Sequence, residues 1–237
     1  MKDRDCGARP LAGHRVLLVT PGCPALAGLG DGVRGLGADC REVFAAEDCA
    51  ALAPLEAAFT RAEAELGGLD ALVIAVGSAL SREPRPLTGF SPEQWRDACL
   101  VPLRTTRQCL QAAWRTLAGR AARIVLVGPN LALTGAGGLT ALSALGEGQR
   151  GLMKSAARQW GGQGIQLNWL GLDARVFASE LDAQALARSP EMGDPAPALG
   201  RTPDLSWGVA ESLALLIGAH AFTGASLPVD GGFWMVP

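Results

Sequence analysis

Short, nearly continuous apolar runs alternate with longer Ala- and Leu-rich stretches along most of this chain. The first run, His14-Arg15-Val16-Leu17-Leu18-Val19-Thr20, has the form of a strand buried on both faces of a parallel sheet, where apolar side chains need not alternate with polar ones. Similar runs recur at Cys40 to Phe44, Leu69 to Ala75, Arg123 to Val127, Ile165 to Leu170 and Ser226 to Val229. Between them the pattern predicts helices over Ala50 to Leu66, Pro92 to Leu117, Ala141 to Trp160 and Ser206 to Ala219. Ser91 before Pro92 puts a capping hydroxyl ahead of a first-turn proline. Strand alternating with helix predicts an α/β fold with a doubly wound parallel sheet and helices on both faces.

The ends and one internal stretch depart from this rhythm. Met1 to Ala12 has charges, Gly7 and Pro10 but no apolar period, and reads as a flexible arm (1–12) before one domain (13–237). Ser189 to Asp204 contains Pro190, Pro195, Pro197 and Pro203 with Gly193 and Gly200, so it is neither a regular helix nor a central strand. It is expected to be a long loop over the carboxyl ends of the strands, either a lid or an ordinary excursion.

Composition narrows the function classes. At 237 residues, 49% of them apolar, the chain suffices for one large domain with a full core. A net charge of -2 gives no basic footprint for nucleic acid. Neither a long apolar span nor a signal-peptide core is present, and a soluble cytoplasmic protein is expected. Cys6, Cys23, Cys40, Cys49, Cys99 and Cys109 form no CxxC pair, and His14 and His220 lie far apart, so no metal site is expected and the cysteines read as reduced and structural.

The segment Phe222-Thr223-Gly224-Ala225-Ser226-Leu227-Pro228-Val229-Asp230-Gly231-Gly232 resembles the Thr-Gly, short last strand and Val-Asp-Gly-Gly turn of the short-chain dehydrogenase/reductase family. Leu69-Asp70-Ala71-Leu72-Val73 ending at Gly77, Arg123-Ile124-Val125, and Gly164-Ile165-Gln166-Leu167-Asn168 extend the resemblance over about residues 13 to 237. It implies a Rossmann-like fold, NAD(P) chemistry and oligomers built on two long helices, which here correspond to Pro92 to Leu117 and Ala141 to Trp160. On the second helix, Leu142, Leu145, Gly146, Met153, Ala156, Ala157 and Trp160 are candidates for an apolar interface or for packing on the chain's own sheet. Gly146, Gly148 and Gly151 each cost an isolated helix about 1 kcal/mol relative to alanine, which a close helix-to-helix approach would offset.

Carried onto this alignment, the family's chemical groups are missing. The chain has no tyrosine. The substrate-binding serine position holds Pro129, the Tyr-x-x-x-Lys positions hold Leu142 and Gly146, and the relay asparagine position holds Pro102. Ser143 and Lys154 share the helix with Leu142, but twelve residues from Leu142 to Lys154 are about 18 Å of helix rise, and serine is a poorer acid than tyrosine. Glu147 is rotated away, and Asp173, Glu180 and His220 read as solvated surface groups.

The cofactor turn is degenerate too. It reads Thr20-Pro21-Gly22-Cys23-Pro24-Ala25-Leu26-Ala27-Gly28, in which only Gly22 falls near the expected glycine run and two prolines remove backbone donors. Gly28, Gly30 and Gly32 come at the wrong offset from the strand. Ile74-Ala75-Val76-Gly77 keeps only its glycine, and Leu172-Asp173 replaces a Pro-Gly pair.

A non-catalytic subunit is therefore expected, without a cofactor of its own. It would assemble, as a heterotetramer or heterodimer, with a catalytic short-chain dehydrogenase that holds NAD(P). The pattern is similar to that of the inactive subunit of the 2-(hydroxybenzyl)succinyl-CoA dehydrogenase of anaerobic toluene degradation, which implies a hydroxyacyl-CoA substrate for the partner. The alternatives are a stand-alone ligand-binding or regulatory protein, with Phe177, Trp207, Phe233 and Trp234 as apolar walls, and a reductase with a relocated acid.

Overall fold

The computed structural model describes residues 9–43, 51–133, 137–177 and 197–234. Six strands, β1 (Arg15–Val19), β2 (Asp39–Val43), β3 (Ala71–Ile74), β4 (Ala122–Pro129), β5 (Ile165–Leu172) and β6 (Ser226–Val229), form one parallel sheet in the order β2-β1-β3-β4-β5-β6. The apolar runs predicted all six. β4 and β5 each run two residues further than expected, because they pair with each other as far as Pro129 opposite Leu172.

Helices cover both faces. On one side α1 (Leu29–Gly35) and α8 (Ala210–Gly218) bury Leu29, Val33, Leu213 and Ile217 against Val16, Leu18, Val73, Val125 and Leu170 of the strands. On the other, α2 (Leu52–Leu66), α5 (Val101–Leu117) and α6 (Thr140–Trp160) bury Phe59, Leu110 and Met153 against Leu17, Leu72, Ile124 and Leu167. Each large apolar side chain taken from water contributes about 1.5–3 kcal/mol. Strand side chains of both parities are thus buried, which is why these strands read as unbroken apolar runs. Short α3 (Ala79–Arg82) and α7 (Ala174–Phe177) follow β3 and β5.

Four expectations change in detail. Pro92 to Leu117 is three segments, α4 (Pro92–Trp95), a π-type turn (Arg96–Leu100) and α5, with the Val101 N–H donating to the Arg96 carbonyl. Pro102 has no N–H for the Ala98 carbonyl and its ring would press on that group, so widening the preceding turn relieves the clash. The predicted Ser206 helix opens on a second π-type turn (Leu205–Val209) that runs into α8. The domain begins before Gly13, since Leu11 is fully buried and its N–H donates to the Leu36 carbonyl at 3.0 Å. On α6, Leu142, Leu145, Gly146, Met153, Ala156 and Ala157 are all buried within the chain, so these residues pack on its own sheet, while Trp160 is half-buried and stacks on Trp114 with ring centroids 5.2 Å apart. The outward face shows Ala144, Gly151 and Ser155, while Gly148 lies over Leu103 of α5.

Of the Pro-rich stretch only 197–204 lies within the described residues. It crosses the carboxyl ends of β5 and β6 as expected, with the Leu199 N–H on the Gly231 carbonyl at 2.9 Å and the Thr202 hydroxyl on Asp173 at 3.4 Å. Cys23, Cys40 and Cys99 are buried free thiols and Cys109 is buried, whereas Cys6, Cys49 and Glu180 fall outside the described residues. Among the described residues no helix is long and apolar enough to cross a membrane, and no cluster of potential metal ligands occurs.

Candidate functional site

The chain leaves β1 toward β2 on one side and returns to β3 on the other, so the strand order reverses between β1 and β3. In open α/β sheets this is where ligands bind, outside the carboxyl ends of the strands. Here the two loops that would flank a ligand touch one another. The Gly77 N–H donates to the Pro21 carbonyl at 3.1 Å, and the Gly22 carbonyl accepts from Arg82 Nη1 at 2.7 Å. Gly22 has φ +71°, and a methyl group on it would collide with the Gly77 carbonyl. That glycine therefore serves loop-to-loop contact. A methyl group on Gly77 would in turn meet Cys23 Sγ at 2.8 Å. Burial pushes the Cys23 thiol up to about 12, with Arg82 pulling weakly the other way, so it is an inert apolar filler.

The rest of the turn after β1 packs in the same region. Pro24–Leu26 forms a single 3₁₀ turn that opens on Pro24 and turns Leu26 fully inward, while Ala25 is half-buried and Ala27 exposed. Thr20 is buried and its hydroxyl has no hydrogen-bond partner. From the opposite side α7 packs on this turn, and Phe177, 5% exposed, joins the same core cluster as Cys23 and Leu26.

Three of the four positions aligned with family chemistry gather beside this plug. Pro129 ends β4 and Leu142 lies in the first turn of α6; both are buried and line one cavity with Cys23, Val76, Leu145 and Phe177. Gly146 is buried one helical turn beyond Leu142. The cavity holds about 10 Å³, room for about one water. Pro102 sits apart, in the first turn of α5, where its carbonyl accepts from the Thr106 hydroxyl at 3.0 Å.

Sequence reasoning missed the polar side chain that spans this region. Gln149, 3% exposed, donates through Nε2 to the Val76 carbonyl at 2.8 Å and to Thr106 Oγ1 at 2.9 Å, which ties α6 to α5 and to the loop after β3. Its place seven residues after Leu142, on the same helical face, was the available signal. No relocated acid pair assembles there: Lys154 is exposed, Glu147 pairs with Arg150, and the Ser143 hydroxyl is buried without a partner.

Asp173 is not solvated, as expected above, but 4% exposed. It accepts from the Arg175 backbone at 2.9 Å and from Arg175 Nε at 3.0 Å, and this hydrogen bonding raises the arginine further above its ordinary value. The Arg175 guanidinium lies 5.5 Å from the Phe233 ring centroid. His220 is exposed, yet its Nδ1 lies 2.6 Å from Arg123 Nη2, so it too has a partner. Of the proposed apolar walls, Phe177 is core, Phe233 and Trp234 are half-buried and Trp207 is 51% exposed, so the four do not form one pocket.

The comparisons with known proteins bear on this site. A family model described as enoyl-(acyl carrier protein) reductase matches residues 27–234. The cis-4-hydroxycyclohexanecarboxylate dehydrogenase of Sinomonas cyclohexanicum is 31% identical over 191 residues, 74% of this chain and 70% of that protein. The 3-oxoacyl-(acyl-carrier-protein) reductase of Escherichia coli (strain K12) is 28% identical over 193 residues, 78% and 74% of the two chains. A short chain dehydrogenase from Burkholderia cenocepacia J2315, solved in complex with NADP, superposes with a TM-score of 0.74 at 22% identity, over 94% of this chain and 99% of that one. In the present chain Leu26 and Phe177 are buried in one core cluster beside the crevice, and the Gly22 and Gly77 loops touch across it.

Proposed function

This chain belongs to the short-chain dehydrogenase/reductase family, whose members bind NAD(P), and from that premise we propose that it is a non-catalytic subunit of a cytoplasmic hetero-oligomer. It assembles with an active member of the family and stabilises that partner's oligomer. The partner holds NAD(P) and performs the hydride transfer, on a hydroxyacyl-CoA if the similarity to the toluene-pathway subunit extends to substrate. The observation that carries this reading is the 10 Å³ cavity walled by Pro129 and Leu142, in which neither residue can transfer a proton. Support for assembly comes from the exposed Leu100 and Val101 at the head of α5, 53% and 48% exposed, beside the small outward residues of α6.

The test is purification of the chain from its host, with mass spectrometry of whatever accompanies it. A stoichiometric dehydrogenase containing Tyr-x-x-x-Lys is the expected companion, and a homomer alone overturns the subunit reading. A second reading, an active reductase with a relocated acid, draws on relatives named as reductases and dehydrogenases. Turnover of NADH or NADPH by the pure chain would favour it.

A further inference from the structure

The two long helices α5 and α6 are basic, although the chain as a whole has a net charge of -2. They carry Arg104, Arg107, Arg115, Arg150, Lys154 and Arg158 against a single carboxylate, Glu147. Glu147 pairs with Arg150, and Arg115 reaches Glu56 of α2. Arg104, Arg107, Lys154 and Arg158 are exposed and have no ion-pair or hydrogen-bond partner among the described residues. Their spacing works against the helices themselves: Arg104 stands three residues before Arg107 and Lys154 four before Arg158, where like charges repel across one turn. The helices run side by side in the same direction, since Gly148 lies over Leu103 and, further along both, Trp160 stacks on Trp114. The four cations, turned away from the buried sides of their helices, therefore open onto one surface. Its head is apolar, with Leu100 and Val101 exposed, and on α6 it is small, with Gly151 and Ser155 exposed.

We infer that this α5–α6 surface docks a partner subunit that answers it with carboxylates, and that its charge keeps a second copy of this chain from the same place. The inference rests on the reading of the chain as one subunit of a hetero-oligomer. A two-fold interface sets a patch against itself. Here that would bring Arg104, Arg107, Lys154 and Arg158 against their own copies with Glu147 already held by Arg150, and unpaired charges taken out of water are strongly unfavourable. An acidic helical face meets the same cations with attraction, which speeds encounter and fixes register. Leu100 and Val101 then supply apolar contact at the head of α5, and Gly151 lets a facing backbone come close.

The test uses a charge-reversed copy of this chain as the acidic probe, because the partner proposed above shares its fold. The copy carries Arg104→Glu, Arg107→Glu, Lys154→Glu and Arg158→Glu together. Sedimentation compares wild type, fourfold variant and their equimolar mixture. The mixture is expected to form a one-to-one complex that neither component forms with itself, and its affinity should fall at least about tenfold between about 50 mM and about 500 mM salt as the charges are screened. A mixture that sediments as the sum of its separate components overturns the inference, as does a wild-type homodimer that Val101→Asp dissolves. Should the fourfold variant fail to fold, Arg104→Glu/Arg107→Glu and Lys154→Glu/Arg158→Glu are each mixed with wild type: a weaker, salt-sensitive complex is expected in at least one mixture, and none in either refutes the proposal. Expressed in the host, the charge-reversed chain should lose the companion dehydrogenase that the wild type retains. A companion that stays with the variant refutes this face and leaves the subunit reading intact. A salt-sensitive complex in the mixture with no companion in the host supports the face and removes that reading.

Discussion

The turn after β6 and the crevice above β1 and β3 occupy the same carboxyl edge of the sheet but are built from opposite materials. In the turn, Asp230, 3% exposed, accepts from the N–H groups of Gly232 at 2.9 Å, Phe233 at 3.1 Å and Trp234 at 3.1 Å, and from Asn130 Nδ2. Asn168 stitches β5 to the connector in the same way, from Nδ2 to the Phe222 carbonyl and from the Ala225 N–H to Oδ1, both at 3.1 Å. In the crevice, Cys23, Leu26, Val76, Leu142, Leu145 and Phe177 meet side chain to side chain. Polar residues stand where buried backbone groups need partners. Where their only task would be to touch a ligand, apolar residues stand instead. A family scaffold keeps its folding chemistry under constraints that differ from those on its reaction chemistry.

The comparison breaks hardest at Asp230. Asp230→Ala leaves three backbone donors and one amide without their acceptor, and each buried orphan costs about 1–3 kcal/mol. A loss of about 4 kcal/mol is expected, read as a lowered urea midpoint with an unchanged slope. A loss below about 1 kcal/mol would mean that water replaces the carboxylate and that the turn is not the rigid half of the comparison.

A smaller effect, and a sharper one, comes from restoring family chemistry to the crevice. Leu142→Tyr with Gly146→Lys puts a phenol and a long cation where a cavity of about 10 Å³ is the free space. Overpacking should cost about 2 kcal/mol. No NADH turnover is expected, because the turn after β1 keeps its two prolines, Pro21 and Pro24, and its single glycine, Gly22. Turnover by the double variant would show that the crevice opens, and the contrast between the two regions would then be one of conformation and not of composition.

The fold was legible because it rests on periodicity. Six apolar runs and four helical stretches sufficed for a parallel sheet, since strands buried on both faces announce themselves without alternation. The Val229-Asp230-Gly231-Gly232 turn and Gly77 anchor the alignment that assigns Pro102, Pro129, Leu142 and Gly146 to the family's chemical positions. How the loops around these positions pack was not legible. That Leu26 turns inward, that Gly22 exists for contact with Gly77 and that α7 folds down onto Pro24–Leu26 are tertiary facts between segments far apart in sequence. Asp173 was misread although its partner, Arg175, stands only two residues on, because an isolated charge in a sequence looks solvated; His220 is exposed as read, and only its contact with Arg123 was not legible. The π-type turn before Pro102 had a local cause, and the proline itself was its signal.

The smallest effect tests whether burial, and not polarity as such, separates the two regions. Asp70 sits at the amino edge of the sheet and holds Arg15 through Nη2 at 2.8 Å and Nε at 2.8 Å, with the Arg15 N–H at 2.9 Å. It has as many donors in the protein as the Asp230 turn supplies from its backbone, yet its side chain is 33% exposed and water competes for it. The Arg15 side-chain hydrogen bonds hold its carboxyl below the ordinary carboxylate value, against a partial opposing effect of burial. A depressed folded-state value means that the contribution is fully present above the ordinary carboxylate range and is lost as pH falls through and below it. Asp70→Asn should therefore lower the melting temperature by about 2 °C at pH 7, far less than Asp230→Ala, and the wild type and variant should converge near pH 2. Added salt should shrink the pH 7 difference, since an exposed pair is screened. A melting loss at Asp70 as large as that at Asp230 would mean that the count of hydrogen bonds, irrespective of solvent access, sets what a polar group is worth in this fold.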